Sequence, residues 1–307
     1  MTWKSLLVNL SLRRLDTDRW VVIYLLVSGL FPFLRPEVFP APLTNLAIHA
    51  ALALAVWFLP PWLRCRRHFL PRLLGEIYLP LLFPFFYGEM QYLGLIFFDF
   101  ESSLDPALIK LEEAIFGFQP SLEWSRHWPW AWFHELMEFA YFSYYFLAAG
   151  FVYLAFRAGQ FPMKQRWDLV RDFIRDLSVT MLICYTFYTL FPAWGPKYFR
   201  AGYVDVGGWI FTDIMRHIHD NGAILGAAFP SSHVAASMIP WWHTWKNFPC
   251  HRAWMTTLFV LLCMSTVYNR YHYVVDVIAG LILGAVVMFF LHHQGDRARD
   301  RHRERMC

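Results

Sequence analysis

Eight runs of apolar residues recur along the chain, at about 20–34, 44–60, 74–98, 130–156, 176–191, 230–246, 254–269 and 273–293. A helix needs roughly 20 such residues to cross the hydrocarbon core of a bilayer, somewhat fewer or more with tilt. The expected fold is therefore all-α, a polytopic membrane helix bundle of about eight spans. The balance of residues agrees: 57% are hydrophobic and only 16% charged, against about a quarter charged in a soluble domain. Aromatic residues make up 20% and suit interfacial belts and helix packing. No basic stripe on a soluble fold is present, so a nucleic-acid partner is not expected.

Basic residues in short links orient a bundle. They gather before Trp20, at Arg64–Arg72, at Arg157–Arg175, at Lys246 and Arg252, and in the tail. Eight spans place all of these in the cytoplasm, with both termini. The segments 99–129, 192–228 and 270–272 then face the extracytoplasmic side. The first apolar run is long enough to remain as a span, so no cleavable signal peptide is expected. Residues 99–129 carry Asp99, Glu101, Asp105, Glu112, Glu113 and Glu123, with Leu104, Leu108, Leu111, Ile115 and Phe116 at helical spacing. That pattern predicts an amphipathic helix lying in the outer interface. The tail, 294–307, alternates acids with arginines and is expected to be frayed and solvated.

Ionisable residues inside a membrane segment are expensive and mark functional sites. Three stretches at the outer ends of the greasy segments carry them: 191–197, 229–233 and 269–276. His272 and Asp276 lie four apart, on one helical face. A carboxylate beside an imidazole fixes its tautomer and supports the charge that develops when the other nitrogen attacks. The same spacing also serves as a helix cap. Pro230, Ser231 and Ser232 suit a helix start, whose amides and hydroxyls can receive an anion. His233 beside them can protonate a leaving oxygen; a serine N-cap followed by an incidental histidine is the plainer alternative. Lys197 and Arg270 can neutralise phosphoryl oxygens. A nucleophile, an acid, an orienting carboxylate and an anion cradle together suit phosphoryl transfer without metal or other cofactor.

Glu89, Glu135 and Glu138 are candidates for binding the hydroxyls of a headgroup or acceptor, or else for hydrogen bonding between helices. His217, His219 and Asp220 lack a fourth ligand at sensible spacing, and the five cysteines offer neither a disulfide framework nor a metal set, so no metal is expected. A transporter using these groups as a proton relay would show repeated halves and charges spread through the membrane depth. No repeat is visible.

Pro230-Ser231-Ser232-His233 resembles the PSGH motif of the type 2 phosphatidic acid phosphatase / vanadium haloperoxidase superfamily, and His272 to Gly280 resembles the HxxxD end of its third motif. Within it, Phe191-Pro-Ala-Trp-Gly-Pro-Lys197 and the run Thr266–Tyr273 look most like the aureobasidin-resistance, inositol phosphorylceramide synthase-like branch. The resemblance implies a six-helix core at 74–293, with 1–73 as a lead-in and two added spans. It implies a phosphohistidine at His272, oriented by Asp276, with His233 acting on the leaving group. The substrate it implies is a lipid phosphate or phosphodiester, such as a phospholipid or isoprenyl phosphate, in contact with membrane lipids. The sequence departs from the pattern where Ser232 stands for glycine, where Thr266 stands six residues before His272, and where the first motif is reduced to Lys197. It sets neither the acceptor, water or alcohol, nor the oligomeric state.

Overall fold

The computed structural model of the protein describes residues 16–39, 41–98, 103–198, 206–222 and 224–304, with side chains as far as His292. The basic lead-in before Asp16, the acids Asp99 and Glu101, and Arg200 lie outside these residues. Twelve α-helices and no strand occur among the described residues, so the all-α bundle expected from the apolar runs is the fold observed. Packing divides the chain into two compact units, 1–102 and 103–307. The division falls one helix later than the 73/74 boundary expected from sequence.

The first unit contains α1 (Asp16–Ser28), α2 (Pro42–Arg64) and α3 (Phe69–Phe97). Several of its buried polar groups pair with one another, as groups shielded from water tend to. Asp18 receives both terminal nitrogens of Arg64 and the Tyr78 hydroxyl, and Glu76 stands 3.3 Å from the Arg64 Nε. His49 bridges Leu25 O at 2.8 Å and Glu89 at 2.6 Å.

The second unit runs from α4 (Asp105–Phe116) and α5 (Pro120–His127) through α6 (Ala131–Phe142), α7 (Tyr144–Arg157) and α8 (Met163–Leu190). It continues with α9 (Ile210–Gly222), α10 (Ser232–Asn247), α11 (Arg252–Tyr268) and α12 (Val274–Glu304). Helix α10 is the hub, packed by α7, α8, α11 and α12. Ala235, Ala236 and Ser237, all buried, keep its faces thin. Against it α12 presents Gly280-Leu-Ile-Leu-Gly284, a small-xxx-small stripe that lets helices approach closely. A Cβ on Gly280 would stand 2.6 Å from Ser231 O, so only glycine fits.

Five helical segments have the length and apolarity to cross a membrane, or six if α6 and α7 form one bent span. Among the described residues the other expected spans, α8 and α10, are helices that fall short of this measure. Helices exist at all eight positions, but α8 begins inside the charged loop at Lys164–Asp176, and α10 has 16 residues with serines and histidines among them. The break between α6 and α7 is 52°. Ser143 causes it: its hydroxyl donates to Ala140 O at 2.6 Å, competing with the helix ladder and bending the axis. The segment 99–129 holds two helices, not one, separated at Gly117 in the left-handed region. The tail expected to fray continues α12 as helix to Glu304.

Candidate active site

Three loops meet at the start of α10 and α12. Ala193 and Ala227 form an isolated parallel bridge, with Ala228 N donating to Ala193 O at 2.9 Å. Gly195, at φ 88°, would place a Cβ 3.0 Å from Tyr271 O, so the first loop can lie this close to the third only with glycine there. The third loop is a tight reversal after α11. Tyr271 N and His272 N both donate to Thr266 O at 2.9 Å, while Arg270 takes the left-handed φ of 61°. That conformation is costly for a side chain with a Cβ. Buried anchoring holds it: the guanidinium donates to Ser125 Oγ at 3.2 Å and Leu122 O at 3.0 Å on α5.

His272 is buried, with Nδ1 2.9 Å from Ala228 O and 3.5 Å from Asp276 Oδ2. A main-chain carbonyl can only accept, so Nδ1 carries the proton and Nε2 keeps the lone pair. Asp276 also accepts Tyr273 N at 2.9 Å, so one carboxylate both caps this turn and stands beside the imidazole. The His233 ring lies 5.7 Å from that of His272, centroid to centroid. Tyr141, whose hydroxyl is 2.9 Å from His233 Nε2, and Tyr144, at 4.4 Å between rings, enclose it. Sequence reasoning missed both tyrosines, which are two among many aromatics on an apolar helix.

The two serines differ from expectation. Ser231 is buried and its hydroxyl caps α10 through Val234 N at 3.4 Å. Ser232 N donates to the Tyr188 hydroxyl at 3.1 Å, and that hydroxyl donates on to Pro230 O. The cap and the Ser232 amide thus serve the turn itself. Glu135 likewise accepts from Trp209 N, Phe211 N and Thr212, fixing the start of α9. Glu89 belongs to the first unit and pairs there with His49. Neither carboxylate is displayed as expected for an acceptor.

Glu138 is placed differently. With Lys197, Arg216, His219, Arg270 and Tyr271 it lines a cavity of about 320 Å³. Both Glu138 oxygens accept the Tyr271 hydroxyl at 3.1 Å. The Tyr271 ring stacks on His219 at 4.1 Å and touches Tyr141 at 4.4 Å, so one ring separates the cavity from the enclosure of His233. Burial, then the charge of Lys197, lowers the His219 pKa to about 3. The ring is thus neutral, and it stacks on Tyr271.

The acidic segment proves to be part of this site. Asp105 accepts Trp194 N at 2.7 Å, Gly195 N at 2.8 Å and the Tyr273 hydroxyl at 3.0 Å, clamping the first loop to the third. Glu112 accepts Val274 N and Val275 N at the start of α12. Burial raises its pKa to about 7, against the lowering by those two amides. Both carboxylates are fully buried. The helical spacing of leucines around them signalled a membrane-facing helix and concealed this role.

The family model of the PAP2 superfamily matches residues 106–290, from α4 to α12. A PA-phosphatase related-family protein of Dictyostelium discoideum is 28% identical over 178 residues, which is 52% of this chain and 32% of that protein. The chain thus spans about a third of the length of that relative. No solved structure matches.

Proposed function

Because the chain belongs to the PAP2 superfamily, we propose that it is an integral membrane phosphatase or phosphotransferase acting on a lipid phosphate or phosphodiester headgroup, through a phosphohistidine at His272. The observation that carries this reading is the pair of imidazoles 5.7 Å apart, with the Nδ1 of His272 committed to Ala228 O. In the first step Nε2 attacks phosphorus, the bond from phosphorus to the leaving oxygen breaks, and His233 gives that oxygen a proton. Asp276 favours the positive charge that His272 acquires. In the second step water or an alcohol attacks phosphorus, its proton passes to His233, and the P–N bond breaks. Lys197 and Arg270 neutralise the phosphoryl oxygens as charge builds. The scheme uses only side chains of this protein and runs without a metal, on the extracytoplasmic face.

A second reading, transfer to an alcohol, is favoured by the cavity beside the imidazoles. Glu138, Lys197 and Arg216 offer both acceptor and donors there, which suits a polyhydroxylated headgroup or acceptor. The likeness of residues 191–197 and 266–273 to inositol phosphorylceramide synthase-like proteins points the same way.

The test is purified protein in detergent with a panel of phospholipids and isoprenyl phosphates, products being resolved as free phosphate or as a new headgroup ester. His272→Ala is expected to lower turnover by about 10³-fold or more while the thermal unfolding transition survives. A folded His272→Ala protein with full activity would remove the nucleophile.

A further inference from the structure

Among the described residues, a group of ligating side chains outside the candidate active site lies on α8, α10 and α12. Asp176 of α8, His243 of α10 and His292 of α12 each offer one ligand atom, and these atoms all lie within 4.8 Å of one another. His243 is ten residues beyond His233, about 15 Å farther along α10. His292 is sixteen residues beyond Asp276, about 24 Å along α12. The group therefore sits well away from the imidazole pair, and the proposed reaction has no use for it.

We propose that Asp176, His243 and His292 form a binding site for a divalent metal ion of the zinc class. Two imidazoles and a carboxylate are the ligand types that zinc takes, with a fourth position left for water. The geometry is close to what such an ion needs. His243 Nε2 is 2.8 Å and His292 Nε2 3.2 Å from the same oxygen, Asp176 Oδ2. Tetrahedral ligands with bonds near 2.1 Å stand about 3.4 Å apart, so both nitrogens would draw back slightly from the shared oxygen to admit the ion, with the two imidazoles already within 4.8 Å of each other. The second carboxylate oxygen is held by Arg175, through Nε at 2.8 Å and Nη2 at 2.7 Å. Outer hydrogen bonding of this kind fixes a ligating carboxylate.

Charge argues in the same direction. Arg175 also pairs with Asp172 at 3.1 Å, so two carboxylates share one guanidinium, and with both imidazoles neutral, as ligation requires, the group has an excess of one negative charge. Asp176 and His243 are buried, where uncompensated charge is costly. A divalent ion reverses that excess and joins α8, α10 and α12 by bonds stronger than the hydrogen bonds they replace. Sequence spacing conceals the set, since 67 and 49 residues separate its members.

Full-length protein in detergent, stripped with a chelator and titrated with zinc, is expected to bind about one ion per chain and to raise its thermal unfolding midpoint. Cobalt in place of zinc is expected to give the visible absorption of a tetrahedral site. His292 is the most exposed of the three, at 23% of its side chain, so His292→Gln is the variant best placed to fold. It is expected to weaken binding at least tenfold and to abolish the cobalt band, as is Asp176→Asn. No bound zinc with no midpoint shift would reduce the group to a hydrogen-bonded triad and overturn the site. A cobalt band that persists in His292→Gln would do the same, by placing the ion elsewhere.

Discussion

At the scale of single residues, the tautomer of His272 and the setting of His233 are fixed by groups outside the recognisable motifs. Ala228 O selects the His272 nitrogen that keeps its lone pair. Tyr141 holds His233 by one neutral hydrogen bond, of a kind that contributes about 1 kcal/mol. Tyr141→Phe is therefore expected to lower kcat by about five- to tenfold with little change in KM, since 1.4 kcal/mol is tenfold in rate. The limb of the pH–rate profile that reports His233 should move as well. Unchanged kcat and an unchanged profile would make the contact incidental. The histidines and Asp276 were legible because charged groups are rare in greasy segments. Tyr141 and Tyr144 were not, since the chain holds 15 tyrosines and nothing in its order distinguishes these two.

Among elements, α10 and α12 decide whether the two imidazoles meet. Ser231 N donates to Asp276 O at 3.0 Å, and Gly280 lets Ser231 O come within van der Waals reach of α12. Gly280→Ala forces these helices apart exactly where the site is assembled, or displaces the cap of α10. It is expected to lower the unfolding midpoint by several degrees and activity by more than tenfold, the cost of overpacking being about 1–3 kcal/mol. Gly150→Ala on α7 meets nothing within 4 Å and is the control; measured by the same assay, it should be neutral. The glycine spacing was visible in sequence, but its partner was not. Helix α4 shows the opposite limit. Its leucine periodicity was read as amphipathic, yet the burial of Asp105 and Glu112 turns on amides and a hydroxyl 89 to 168 residues away, which no local pattern reports.

At the scale of the whole molecule, hydropathy identified the class of fold and every helix in the apolar runs. Length and apolarity alone single out five or six of these helices as spans, because α8 and α10 are packed among their neighbours and carry polar residues that a lone helix could not. Ionisable groups were expected to gather at one end. Asp18 with Arg64, His49 with Glu89, and Asp176 with its histidines correct this, each being paired inside the protein. The proposed orientation puts Cys65 and Cys250, both exposed, in the cytoplasm. A membrane-impermeant maleimide is expected to leave them unmodified in sealed cells and to modify both after permeabilisation, as read by mass spectrometry. Modification in sealed cells would invert the topology.

The stapling of the first loop to the third by Asp105 has a consequence for biogenesis. Asp105 leaves the ribosome some 170 residues before Tyr273, and until then its carboxylate has no tyrosine to receive. A nascent chain stalled before the third loop holds Lys197 and His233 but lacks both the proposed nucleophile, His272, and the tyrosine that Asp105 receives. On the proposed mechanism such a chain has no reactive imidazole to offer a lipid phosphate, and reactivity arrives with the third loop.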